Sequence, residues 1–427
     1  MLILLAAYAI AFIDRQVIGL LIEPIRADLI ISDTQIGFLQ GPAFGIFYVL
    51  AGLPLGWMAD RTHRIRLIAA GIFLWSIMTV CSGLAHDFTG LLLARIGVGI
   101  GEAALAPAAV SLLADLFKPE KRALPLSIFT MGNAVGTGLA LVLGGVFIAY
   151  AENGVQHFPL LGAWLAAQQE WQAVFVLTGL LGIPVALGVL ALPEPTRTDK
   201  RDGAPPPRII DCLKYIASHK SVLLTLLVGI SVMFLVSNAV AAWNGVLFVR
   251  KYDLSPAELG VRLGTIVGPA AFVGFLSSGL IATRLARRWP LDAPMRTILL
   301  GAVIYIPAQI LMPLSPTANG AFILSGVAMV LGGVTFGVVT TALVAVTPSQ
   351  FRGQIVAIYL LLGNLFGQGL GPLSVGVLIQ HVFGNPDSVD VAMALTAALS
   401  TLPGLVLLFV SQRGFAARAA AIRESQR

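Results

Sequence analysis

Four ionisable residues stand inside otherwise apolar runs, and they are where this chain can do chemistry. Asp14 and Arg15 are adjacent in "AFIDRQVIGL", residues 11 to 20, and Arg95 and Glu102 fall in "RIGVGIGEAALAPAA", residues 95 to 109. A carboxylate shielded from bulk water can take up and release a proton. A guanidinium presents paired donors that grip a carboxylate or a phosphate. Successive residues on a helix point about 100° apart, so Asp14 and Arg15 cannot form a same-face pair and each must reach a different partner. Arg95 and Glu102 lie seven residues apart and share a face. Asp14 and Glu102 are therefore candidates for proton coupling, Arg15 and Glu102 for substrate contact, and Arg95 for the coupling network. The plainer alternative is a set of static ion pairs, including one between Arg95 and Glu102.

Softer candidates for substrate contact are Asn238, Trp243 and Asn244 in one apolar stretch, with Tyr48, Phe129 and Tyr359 elsewhere. For each aromatic, ordinary helix packing explains its presence equally well.

The elements that position these residues follow from composition. The chain has 427 residues, 57% hydrophobic and 11% charged, against roughly 25% charged in soluble domains. Its mean hydropathy is +0.89. Such a chain cannot cover a soluble surface, and its long apolar runs predict an all-α polytopic membrane protein. Twelve spans are expected: 2–22, 36–58, 66–85, 90–115, 123–150, 171–192, 221–249, 263–285, 296–313, 320–346, 353–379 and 390–411. The apolar start is not a signal peptide, because no basic segment precedes it and no small-residue cleavage site follows. A natural tail is expected ahead of residue 1.

The polar stretch "PEPTRTDKRDGAPPPRIIDCLKYIASHKS", residues 193 to 221, divides the spans into two sets of six. The expected organisation is a six-helix bundle over 1–192, a cytoplasmic linker over 193–220, a second bundle over 221–411 and a cytoplasmic tail over 412–427. Part of the linker, "RIIDCLKYI", is amphipathic and suits a membrane surface.

Charge placement sets the orientation. Loops after even-numbered spans, with the tail, hold Arg61, Arg64, Arg66, Lys118, Lys121, Arg122, Arg197, Lys200, Arg201, Arg208, Lys214, Lys220, Arg284, Arg287, Arg288, Arg296, Arg352, Arg413, Arg418, Arg423 and Arg427. The opposite side holds only Arg26, Arg250, Lys251 and Arg262. This asymmetry places both termini in the cytoplasm, and a bacterial inner membrane is the expected location.

The halves also repeat. "GNAVGTG" (132–138) and "GNLFGQG" (363–369) share G-N-x-x-G-x-G, and "GWMADR" (56–61) matches "GLIATR" (279–284) as G-x-x-x-[DT]-R. Equivalent motifs in two six-helix halves indicate a duplicated unit. Gly132, Gly136, Gly363 and Gly367 are each expected at a tight helix contact.

The whole chain, with "GWMADRTHRIR" after its second span, resembles the major facilitator superfamily. Gly56, Asp60, Arg61, Arg64 and Arg66 occupy that motif, with His63 replacing its usual glycine. The resemblance implies a cytoplasmic gate built from Asp60, Arg61 and Arg64. More narrowly, "FIDRQVIGLLIEPIRADLIISDTQIGFLQGPAFGIFYVLAGLPLGWMADR" (12–61) and "RIGVGIGEAALAPAAVSLLADLFKPEKRA" (95–123) resemble the Spinster family, whose known members move lysophospholipids or sphingosine-1-phosphate, some with proton coupling. That resemblance implies an alternating-access secondary transporter with a proton-linked site at Asp14 and Glu102, and the paired donors of Arg15 suit an anionic lipid headgroup. The alternative is a proton-coupled exporter of drug-like or small organic anions.

No HExxH, GxSxG, CxxC or P-loop pattern occurs, and the five histidines are scattered, so no enzyme is expected and neither cofactor nor metal is called for. The expected partners are an amphiphilic anionic substrate, protons and membrane lipids, with no nucleic acid, in a chain that works as a monomer.

Overall fold

The computed structural model describes residues 2–59, 61–117, 123–153, 162–165, 167–195 and 208–424. Its α-helices are α1 (Leu2–Leu20), α2 (Ile22–Leu29), α3 (Asp33–Gln40), α4 (Pro42–Ala59), α5 (Arg64–Gly83), α6 (Phe88–Glu102), α7 (Leu105–Leu116), α8 (Ala123–Asn153), α9 (Gly162–Leu165), α10 (Glu170–Leu190), α11 (Ile209–Ser218), α12 (Thr225–Tyr252), α13 (Pro256–Ala286), α14 (Ala293–Leu314), α15 (Ala318–Phe336), α16 (Val339–Ala345), α17 (Arg352–Leu362), α18 (Gly371–Val377) and α19 (Val389–Glu424). Among the described residues, eleven helical segments are long and apolar enough to cross a membrane. α8 falls where a further span is expected, and its apolar stretch is Gly136–Tyr150.

Several expected spans are broken. The first ends at Leu20, and α2 continues past a kink at Leu21. The second divides at Gly41 ahead of Pro42, whose ring suits a helix start. The fourth turns at Ala103 and Ala104, directly after Glu102. The tenth breaks at Gly337 and Val338. The repeat motif Gly363–Leu370 is wound as a π-helix, a wide turn that recurs at functional sites. α19 runs beyond residue 411 to Glu424.

Contacts group the chain into two compact units. The first comprises Met1–Asp202, Ala241–Gly268 and Pro372–Val389. Its core packs Leu4, Ile68, Trp75, Val98, Leu112 and Phe129 from α1, α5, α6, α7 and α8. The second comprises Gly203–Val240, Pro269–Gly371 and Asp390–Arg427. Its core includes Ile230, Met233, Ile298, Tyr305, Leu343, Ile355 and Leu408.

The motif glycines permit close helix approach in each unit. A Cβ on Gly136 would lie 2.8 Å from the Ala9 carbonyl oxygen of α1, and one on Gly132 would lie 3.1 Å from Tyr8 Cβ. In the second unit a Cβ on Gly367 would lie 2.9 Å from Asn238 Nδ2 of α12. Gly363 departs from the expectation: its nearest neighbour, Phe234 Cγ, would be 4.0 Å away, an ordinary contact. The close approach falls four residues on, at Gly367, while Gly363 faces the Phe234 ring.

Candidate substrate and proton site

Asp14 and Arg15 lie six and five residues from the end of α1, and both reach α6. Arg15 Nε donates to Glu102 Oε2 at 2.5 Å. Arg95 Nη1 donates to Asp14 Oδ2 at 3.4 Å, and the Thr79 side chain also meets Asp14. The two adjacent residues therefore take separate partners. Arg95 and Glu102 share a face, but each pairs across to α1 instead of with the other. Asp14, Arg95 and Glu102 are all buried.

Helix packing dictates this register. A Cβ on Gly99 would sit 2.8 Å from the Phe44 carbonyl oxygen, so only glycine lets α6 come this close to α4. Phe44 then contributes its ring as well as its backbone. The Arg15 guanidinium carbon lies 4.6 Å from the centre of the Phe44 ring, 4.9 Å from Phe12 and 5.0 Å from Tyr48. Phe44 and Tyr48 stack at 5.6 Å. Aromatic faces attract a cation when water is excluded, so Arg15 is held by π-faces as well as by a carboxylate.

The site is not saturated. Asp14 Oδ1, Glu102 Oε1 and Arg95 Nε are buried without a hydrogen-bond partner. Each acid thus spends one oxygen on an arginine and retains the other. A buried polar atom left unpaired is costly, which fits atoms that exchange a proton or meet a polar ligand.

The other expected contacts divide between the units. In the first, Phe129 stacks on Tyr8 at 4.7 Å and is fully buried. Trp243 is also buried, donating from Nε1 to the Pro372 carbonyl at 2.8 Å. Asn244 is buried with Oδ1 unpaired. In the second, Asn238 Nδ2 donates to the Phe234 carbonyl at 2.9 Å, and Tyr359 meets Phe234 edge-on at 6.4 Å. Phe129, Trp243 and Tyr359 each pack against a neighbouring ring or backbone group here.

Of the residues expected at the cytoplasmic gate, Asp60 lies outside the described residues. Arg61 stacks over Trp57 at 4.1 Å. Arg64 is buried. It pairs with Asp115 and donates to Glu194 Oε1 at 2.7 Å, to Ser111 and to the Pro195 carbonyl. Glu194 Oε2 also accepts from the Ile65 amide at 2.9 Å. Burial opposes charge on Glu194, but the Ile65 amide and Arg64 outweigh it and hold the carboxyl below the usual glutamate range.

Sequence reasoning missed Asp115 and Glu194 as partners of Arg64. It also missed a cluster in the first unit around Arg250. Arg250 donates to Glu23 Oε1 at 2.8 Å, to Asp33 Oδ1 at 2.7 Å and to the Pro386 carbonyl at 2.9 Å. A sequence signal was present: Ser32 and Gln35 form a capping box that fixes Asp33 in the first turn of α3.

Membrane-spanning helices carrying paired, buried and incompletely satisfied charges define a polytopic carrier. The Major Facilitator Superfamily profile matches residues 4–372, and the chain belongs to that superfamily. It is 26% identical over 406 residues to an MFS-type efflux pump of Mycolicibacterium smegmatis, covering 94% of this chain and 89% of the pump. It is 23% identical to protein spinster of Drosophila melanogaster, covering 88% of this chain but 62% of the fly protein, less than two thirds of its length. A crystal structure of a bacterial homologue of the human lysosomal transporter Spinster, inward-facing and occupied, superposes with a TM-score of 0.80 at 29% identity, covering 100% of this chain and 97% of that one. The protein is a transporter related to the Spinster family, not an enzyme.

Proposed function

We propose that this chain is a proton-coupled, alternating-access carrier of anionic amphiphiles of the lysophospholipid or sphingosine-1-phosphate kind. The observation that carries this reading is Arg15, bound to Glu102 and ringed by Phe12, Phe44 and Tyr48. While Glu102 is ionised it occupies the guanidinium. When a proton neutralises Glu102, the paired donors of Arg15 become available to a phosphate headgroup. Asp14 and Arg95 form a second acid–base pair between the same two helices. Coupling follows because proton and anionic substrate act on one arginine.

Twelve spans in two related halves, 1–192 and 221–411, form the proposed scaffold, with linker and tail in the cytoplasm of a bacterial inner membrane. In support, the fifth span packs its motif glycine on the first, and the eleventh packs its own on the seventh. Asp60, Arg61 and Arg64 form the cytoplasmic gate, and the protein works as a monomer. Beside Arg15 and Glu102, the candidates for substrate contact are Tyr48, Phe129, Asn238, Trp243, Asn244 and Tyr359.

A second reading, export of drug-like or small organic anions, draws on the similarity to the mycobacterial efflux pump. Liposomes containing the purified protein separate the two. Saturable flux of lysophospholipid or sphingosine-1-phosphate that responds to a pH gradient supports the first. Flux of small organic anions alone supports the second.

A further inference from the structure

The connection ahead of the seventh span contains α11 (Ile209–Ser218), and its sides have different surroundings. On one side Cys212 and Ile216 are buried in the core of the second unit. Between them Tyr215 donates its hydroxyl to the Val346 carbonyl at 3.1 Å, accepts from Arg418 Nε at 3.1 Å and lies 5.3 Å from the Phe351 ring. These contacts fix the position of the helix. Val346 directly follows the span Ala318–Ala345, Phe351 lies at the start of the span Ser349–Phe383, and the span Lys220–Tyr252 begins two residues after α11 ends. The helix therefore lies beside the ends of three membrane-spanning segments.

The next part of its circumference is apolar and has no cover among the described residues. Ile209, Leu213 and Ile210 are 56%, 46% and 50% exposed. At about 100° per residue they continue the arc begun by Cys212 and Ile216, so one apolar face is shared between the protein core and the surroundings. Lys214 follows at the outer edge of that arc, and Asp211 lies farther round. A long side chain with a terminal cation at such an edge can extend to headgroup phosphates.

We infer that α11 lies in the headgroup layer of the bilayer, with Ile209, Ile210 and Leu213 at the acyl-chain boundary and Lys214 on the phosphates of anionic lipids. The apolar arc, its position beside the span ends and the flanking cation all match an interfacial helix. Through Tyr215 this lipid contact bears on the ends of the tenth and eleventh spans and on α19.

Spin labels test it in the full chain. Cysteines replace Ile210, Leu213 or Ser218 singly in a Cys81→Ala, Cys212→Ala background, in nanodiscs of phosphatidylcholine with or without phosphatidylglycerol. Labels at 210 and 213 should relax with oxygen in preference to a water-soluble nickel chelate, and the label at 218 should do the reverse. Lys214→Gln should narrow that contrast in phosphatidylglycerol discs but not in neutral ones. Equal nickel access at all three sites overturns the proposal. So does exclusion of both reagents from 210 and 213, because protein would then cover the arc. An unchanged contrast in Lys214→Gln removes the anionic lipid. Hydrogen exchange over 209–218 in the unmodified protein guards against a background that does not fold: it should slow when phosphatidylglycerol is added, and equal rates in both discs overturn the proposal.

Discussion

Arg15 and Glu102 are 87 positions apart in the chain and joined by a 2.5 Å hydrogen bond. Asp14 and Arg95 make a second bond between the same two helices. α6 therefore clasps α1 twice, once with an acid and once with a base. Changing the charge on Glu102 alters the first clasp while leaving the second in place. The two pairs can then be separated by substitution.

Glu102→Gln should lose pH-driven flux by roughly tenfold or more, the equivalent of about 1.4 kcal/mol, and still bind substrate. The amide keeps the shape but cannot carry a proton, and Arg15 is no longer neutralised. Flux and equilibrium binding measured on one reconstituted preparation across pH would show the split. Normal pH-driven uptake in both Glu102→Gln and Asp14→Asn would exclude either acid as an essential proton carrier.

Arg15→Ala should weaken binding of anionic lysolipids by about tenfold to a hundredfold, since a hydrogen bond to a charged group contributes ~1.5–3 kcal/mol. Arg15→Lys should recover part of this. It keeps the charge but loses the planar fork and much of the stacking on Phe44 and Tyr48. Titration calorimetry with a lysophospholipid and its zwitterionic analogue distinguishes headgroup recognition from general apolar binding. Unchanged affinity in Arg15→Ala would remove Arg15 from the headgroup site.

Much of this site was legible because a charge in an apolar run has few permitted roles. The angle between Asp14 and Arg15 already required two partners. Which acid met which base was not legible, because the seven-residue spacing of Arg95 and Glu102 suggested a pair of their own. The crossing partners follow from how far α6 slides along α4, and that depends on the absence of a side chain at Gly99. The helix positions were read from hydropathy, but their interruptions at Ala103 and Gly337 were not. The break at Ala103 is marked only by Pro107 four residues on, which cannot donate to the Ala103 carbonyl, and the break at Gly337 has neither a proline nor a polar run beside it. Arg64 and Glu194 lie 130 positions apart, and Arg250 read only as a loop charge, because pairing between helix ends has no local sequence pattern.

Glu194 gives a pH test outside the membrane. Its carboxyl titrates below the usual glutamate range when folded, so the unfolded chain binds more protons between the two values. The stabilisation is fully present above the unfolded value, near pH 4, and is lost as pH falls through the lower folded value. Thermal unfolding in detergent should show the parent above Glu194→Gln at pH 7, with the gap closing on acidification below about pH 4. A gap that persists unchanged at the lowest pH would mean the carboxylate charge is not what stabilises this corner.

Arg250 offers a test of the face opposite the proposed cytoplasmic gate. It joins the end of α12 to Glu23 on α2 and Asp33 on α3, and it also holds the Pro386 carbonyl. Asp33 and Arg250 are both largely withdrawn from solvent. Removing one partner of a buried pair leaves the other charge uncompensated, at a cost of about 3–5 kcal/mol. Arg26 Nε, 3.6 Å from Asp33, offsets part of that. Arg250→Gln should therefore favour arrangements in which Asp33 reaches water, and those separate α3 from the segment holding Pro386. Spin labels on the exposed positions Ile30 and Asp387 should report longer or broader distances in the variant. Adding Asp33→Asn should restore the distribution toward that of the parent, because the stranded charge is then gone. A variant with the parent's distances would show that Arg250 decorates this face without latching it. A double variant no closer to the parent than Arg250→Gln would assign the effect to lost packing instead of charge.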